Sequence, residues 1–209
     1  MPPTSYERQV FINCPFDAGF QPIREAMTFT VFDCGFRPRT AMEVDDGSQV
    51  RIDKIFDIIR DCKFGIHDIS RTETDSQTGL PRFNMPLELG IFLGAKRYGQ
   101  DRQKKKMCLI LDREQHRYQA FISDIAGQDL RSHQGQPQQA IGIVRDWLRS
   151  VRPQVSIPGG EAVAKRYESF RHDLPAICAK LRLAPDDLTY IDYTWCVSEW
   201  LKTNPGSGP

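Results

Sequence analysis

Short apolar runs and helical stripes alternate along the first half of the chain. Val10-Phe11-Ile12 is nearly all apolar and ends in the turn-prone Asn13-Cys14-Pro15-Phe16-Asp17, a pattern that predicts a buried strand followed by a loop. Residues 22–33 then place Ile23, Ala26, Met27 and Val31 near helical spacing, with Pro22 suited to a first-turn position and Gly35 to the left-handed position beyond the end. Residues 36–41 predict a second, short strand, which Pro38 pushes toward the edge of a sheet because it cannot donate to a ladder.

From Ser48, a suitable N-cap, an amphipathic helix is expected to about Cys62, with Ile52, Ile55, Phe56, Ile59 and Cys62 on one face. Residues 64–69 follow as a third strand, and the polar loop 70–82 separates it from a short helix expected to begin near Pro86. A basic stretch, Lys104-Lys105-Lys106, precedes a fourth strand over residues 107–111. Residues 120–130 read as irregular, and helical patterns follow over 138–151, 161–181 and 185–200. Alternating helices and short, nearly all-apolar strands predict an α/β fold with a doubly wound parallel sheet. The expected division is an α/β domain over residues 1–135, a helical C-terminal extension packed on it over 136–203, and a loose tail over 204–209.

Composition narrows the class. With 209 residues, 40% hydrophobic and 26% charged, the chain is expected to be globular, and its formal charge of +1 gives no whole-molecule argument for nucleic acid or membrane. The six cysteines are scattered through apolar segments, as reduced core thiols are, and no metal-ligand spacing occurs, so no metal site is expected. The first nine residues lack an apolar signal core and no run of about 18 apolar residues exists, which makes the cytoplasm the expected location.

Open parallel sheets bind ligands beyond the carboxyl ends of their strands. Candidate site residues at that edge are Asn13 and Asp17 after the first strand, Arg37 and Arg39 around the second, Asp68, Ser70 and Arg71 after the third, and Arg82, Asn84 and Glu88 at the next helix. The arginine forks suit phosphate. Glu88 is the sharpest feature, since it falls inside the apolar helix Leu87-Glu88-Leu89-Gly90-Ile91-Phe92-Leu93, where a carboxylate is costly unless paired. The plainer reading counts Pro86 as the first helical residue and Glu88 as the third, merely complementing the helix N-terminus, for about 0.3–1 kcal/mol. Gly90 and Gly94 would then permit close packing, and His67 would be a core histidine. Neither a dinucleotide Gly-x-Gly-x-x-Gly nor a P-loop is present.

Three segments in order, Val10 through Asp17, Asp61 through Ser70 and Asn84-Met85-Pro86-Leu87-Glu88-Leu89-Gly90, resemble the nucleoside 2-deoxyribosyltransferase family, and the Asn-x-x-x-Glu-Leu-Gly helix start is similar to TIR domains that cleave NAD. The resemblance covers roughly the first 112 residues. It implies a flavodoxin-like sheet, Glu88 as the catalytic carboxylate at the anomeric carbon, Asp68 as a second catalytic group and Asn84 as a motif residue. The first loop departs from the transferase pattern, with Asn13-Cys14-Pro15-Phe16 where a tyrosine is expected.

The expected function is therefore cleavage or transfer at the base–ribose bond of a nucleotide, NAD or nucleoside, with no cofactor beyond NAD as a substrate. A non-catalytic module that binds a nucleotide signal is the alternative. The expected partner is a small-molecule nucleotide or NAD, without membrane or direct sequence evidence for nucleic acid, and with homo-oligomerisation left open.

Overall fold

Strands β1 (Gln9–Asn13), β2 (Arg37–Arg39), β3 (Phe64–Asp68), β4 (Met107–Asp112) and β5 (Leu130–Ser132) form one parallel sheet in the order β2-β1-β3-β4-β5. This is the doubly wound, flavodoxin-like order. The computed structural model describes residues 5–74, 79–154 and 156–206. The expected loop 70–82 and tail 204–209 therefore lie partly outside the described residues.

Every residue of β1 and β3 is buried, as the continuous apolar runs predict for central parallel strands. Pro38 sits in the edge strand β2, where its missing N–H breaks no interior ladder. A fifth strand, which the sequence pattern does not predict, begins at the last residue of the expected irregular stretch. β5 is three residues long and buries only Leu130, so it carries no alternation for a pattern to register.

Among the described residues six α-helices accompany this sheet: α1 (Gln21–Asp33), α2 (Arg51–Asp61), α3 (Asn84–Tyr98), α4 (Pro137–Val151), α5 (Gly160–Leu181) and α6 (Tyr190–Thr203). On one face Val10, Ile12, Phe64, Ile66, Leu109 and Leu111 pack with Ile23 and Met27 of α1 and with Val144 and Leu148 of α4. On the other, Phe11 meets Ile55 and Ile59 of α2 and Phe92 of α3, while Ile110 meets Leu89. α4, which sequence placed in the C-terminal extension, thus belongs to the sheet's own helical layer. Helices α5 and α6 form a further layer outside α1, centred on Phe29, whose ring stacks on Phe170 at 5.3 Å and leans on Tyr167 and Trp200. Asp33 and Arg166, 2.9 Å apart, tie α1 to α5.

Two local expectations change. α2 starts after Val50, with no side-chain cap, while the Ser48 hydroxyl turns back to Asp46 Oδ1 at 2.7 Å. Phe56 is half-exposed, and Ile58 takes its place in the core. At the far end of α2, the fully buried Lys106 donates to the carbonyls of Ile59 and Cys62, satisfying acceptors that the helix leaves open. All six cysteines are free thiols. Among the described residues, no helix is long and apolar enough to cross a membrane.

Candidate functional site

The strand order reverses between β1 and β3, and the crevice beyond their carboxyl ends is where such sheets bind ligands. Alternation along the strands sorts the polar residues there onto two faces. Asn13 and His67 share the α3 face with Phe11, whereas Asp68 follows Phe64 and Ile66 onto the α1 and α4 face.

On the α3 face, Asn13 Nδ2 donates to His67 Nδ1 at 3.1 Å and to the Met85 carbonyl at 2.9 Å, which ties the end of β1 to the first turn of α3. His67 Nδ1 accepts, so Nε2 carries the proton; the ring is fully buried against Phe92, and burial holds its pKa down at about 3. His67 is a neutral core histidine, though its buried Nε2 has no hydrogen-bond partner among the described residues. Gly65 makes room for it, since a Cβ there would stand 2.6 Å from His67 Nε2.

On the opposite face, Asp68 is fully buried with both oxygens engaged. Oδ1 accepts from Ser70 N–H at 2.9 Å, and Oδ2 lies 2.9 Å from His133 Nε2, which also approaches Ser70 Oγ at 3.1 Å. Gly135 N–H donates to His133 Nδ1 at 3.0 Å, so Nε2 is the protonated nitrogen. Asp68 and Ser70 thus join the loop after β3 to the loop after β5 through His133. Arg117 braces the same loop by donating to the carbonyls of Ile69 and Ser70 while paired with Asp112 at 2.7 Å. Neither His133 nor Arg117 stood out in the sequence. The signal for His133 was the Gln134-Gly135-Gln136-Pro137 turn just after it, which marks a strand end.

Glu88 differs from these groups. α3 begins at Asn84 after Phe83, so Pro86 is its third residue and Glu88 its fifth, one position beyond the first turn. A proline fits there without cost, because the first intrahelical bond runs from Leu87 N–H to the Phe83 carbonyl and no earlier N–H has a partner to lose. The reading of Glu88 as a first-turn complement to the helix dipole loses its geometry. Helix α3 is also less enclosed than expected, with Leu87 and Gly90 exposed and only Met85, Glu88, Leu89 and Phe92 forming a buried stripe. Nothing lies within 4 Å of a Cβ built at Gly90 or Gly94, so neither permits close packing.

The Glu88 side chain is thus turned inward. It is 7% exposed and has no hydrogen-bond or ion-pair partner among the described residues, yet its oxygens are not fully enclosed. Burial pushes its pKa up to about 7, opposed only by the more distant Arg51. Cys14, next to Asn13, feels the charges of Arg24, Asp68, Glu88 and Asp17, and its thiol is held protonated by burial. Glu88 follows Met85 by three residues on the buried stripe of α3, and Asn13 holds the Met85 carbonyl, so Glu88 lies near the carboxyl end of β1.

The remaining candidates scatter. Asp17 accepts from Phe20 N–H at 3.1 Å and pairs with Arg71 at 3.0 Å, at the rim, where Gly19 leaves the room. Asn84 and Arg82 are exposed on the approach to α3. Arg37 is level with Gln9, the first residue of β1, and so lies at the amino end of the sheet, away from the crevice. Arg39 is level with Phe11, and its guanidinium is held by Glu43 and Gln9. The expected arginine cluster does not assemble. Among the described residues, no group of three or more His, Cys, Asp or Glu gathers as a metal site would require.

Family models, curated proteins and solved structures offer no match to the chain. The site must be read from its own chemistry.

Proposed function

We propose that the protein breaks the N-glycosidic bond of a nucleotide or of NAD, by hydrolysis or transfer, with Glu88 as the carboxylate at the anomeric carbon. The observation that carries this reading is the Glu88 side chain itself, buried, unpaired and titrating near neutrality in the crevice at the switch between β1 and β3. Buried carboxylates without partners are costly, and perturbed acids of this kind concentrate at functional sites.

As the bond from C1′ to the base nitrogen breaks, its electron pair leaves with the base and the sugar becomes oxocarbenium-like. Ionised Glu88 stabilises that charge or traps it covalently; water or an acceptor hydroxyl then bonds to C1′ and releases a proton to solvent. Asp68, with both oxygens occupied, is badly placed to protonate a departing base, and so is the Cys14 thiol, whose pKa is raised. This favours a base that leaves without needing a proton. A pyridinium-linked sugar, as in NAD, releases a neutral base and brings a positive charge that favours ionised Glu88.

Incubation of the purified protein with NAD and a panel of nucleotides and nucleosides, followed by chromatography of the free bases, tests the reading. Release of the neutral pyridine base, lost in Glu88→Gln, is the expected result. Binding without release from any substrate overturns it in favour of a module that only binds nucleotide.

A further inference from the structure

A cavity of about 450 Å³ lies between the first turns of α1 and α2, the loop after β2 and the start of α6. That volume is within the range of small-molecule sites, about 300–1,000 Å³. Its wall carries three cations, Arg24, Arg51 and Lys54, from the first turns of α1 and α2. The positive end of a helix disfavours a cation and favours an anion, and neither helix has a side-chain cap there. None of the three is within 4.0 Å of a carboxylate oxygen among the described residues. They are instead oriented by neutral groups. Arg24 donates to the Pro15 carbonyl at 3.4 Å, Lys54 donates to the Val44 carbonyl, and Arg51 lies over the Phe16 ring at 5.8 Å. Of the acidic side chains in the wall, Glu25 already accepts from Gln21 at 2.7 Å and faces Arg171 at 3.5 Å, which leaves Asp45 as the counterweight to three positive charges.

Thr28 and Tyr190 also belong to this wall, but their hydroxyls are enclosed and turned toward one another instead of the cavity, so the wall's ligand-facing character is set by its cations.

We propose that this cavity binds the phosphate-bearing part of a nucleotide, with Arg24, Arg51 and Lys54 on phosphate oxygens. The link to chemistry rests on the glycosidase reading above: Arg51 lies over the ring of Phe16, in the loop that leaves the carboxyl end of β1, so the cavity borders the crevice in which Glu88 is proposed to act. Tyr190 comes from α6, so the outer helical layer completes the site.

Calorimetric titration of the full chain with adenosine 5′-monophosphate, ADP-ribose and adenosine tests this. The phosphorylated probes are expected to bind more tightly than adenosine by tenfold or more. Arg24→Ala and Lys54→Ala are each expected to weaken them about tenfold or more, as loss of a charge-assisted hydrogen bond does. Equal binding of adenosine and its monophosphate, no binding of any probe, or unchanged affinity in Arg24→Ala and Lys54→Ala overturns the proposal. The same titrations on Glu88→Gln separate it from the glycosidase reading. Phosphate-dependent binding with no base release from parent protein sinks the glycosidase and leaves this site standing, whereas base release whose KM ignores Arg24 and Lys54 does the reverse.

Discussion

His133 Nε2 stands 2.9 Å from Asp68 Oδ2, joining the loop after β5 to the end of β3 across 65 residues of chain. The pair is buried, with 1% and 0% side-chain exposure, and Gly135 fixes the imidazole from behind. His133→Ala leaves Asp68 Oδ2 buried without this donor and is expected to cost about 2–4 kcal/mol. Ser70→Ala removes only the hydroxyl and is expected to cost about 1 kcal/mol. Urea unfolding of both variants checks the order; a His133→Ala protein as stable as Ser70→Ala contradicts it.

Glu88→Gln keeps the shape of the side chain and removes its charge. Turnover is expected to fall by about a hundredfold or more while nucleotide still binds. Parent-like base release by a folded Glu88→Gln protein in steady-state assays would remove Glu88 from the chemistry.

The same residue sets a pH dependence of stability. The folded pKa of about 7 lies above the ordinary 4.5, so the folded state binds the proton more tightly than the unfolded state. Stability contributed by protonated Glu88 is fully present below about pH 4.5 and is lost as pH rises through about 7, a change on the order of 3 kcal/mol at most. Glu88→Gln should therefore gain little at pH 4 and most at pH 8. Denaturant midpoints of parent and variant at both values measure this, and equal differences at the two pH values contradict it.

Catalysis follows the opposite limb. If ionised Glu88 faces the developing cation, kcat/KM rises with pH through an apparent pKa near 7. A profile flat from pH 5 to 9 with NAD as substrate argues against that assignment.

Gly65→Ala is expected to cost about 1–3 kcal/mol, since the new methyl would meet His67 Nε2 at 2.6 Å and Phe92 at 2.8 Å, both fully buried. Thermal unfolding reports the loss directly. An unchanged midpoint would mean that the His67–Phe92 pair can move aside.

The central strands and the helices on the sheet are legible in the sequence because burial on both faces writes itself as unbroken apolar runs. What escaped depends on register. Arg37 and Arg39 look like neighbours of the site until parallel pairing sets Arg37 level with the first residue of β1. β5 is too short to alternate. The start of α3 escaped because a proline is equally harmless at several first-turn positions. Glu88 was visible as a carboxylate in an apolar helix, whereas Arg24, Arg51 and Lys54 carry no sequence pattern that joins them and line one cavity only because α1, α2 and α6 come together. His133 reaches Asp68 through tertiary structure alone.

Helix α1 is enclosed on two sides, with Met27 and Val31 on the sheet and Ala26 and Phe29 on the outer layer. The order of synthesis opposes this arrangement. Residues of α1 leave the ribosome long before Phe170 and Trp200, the rings that cover Phe29, so the early half of the nascent chain must keep an aromatic face open until the last helix emerges. The emergence of α6 is the moment at which the Phe29 side of the sheet layer becomes covered.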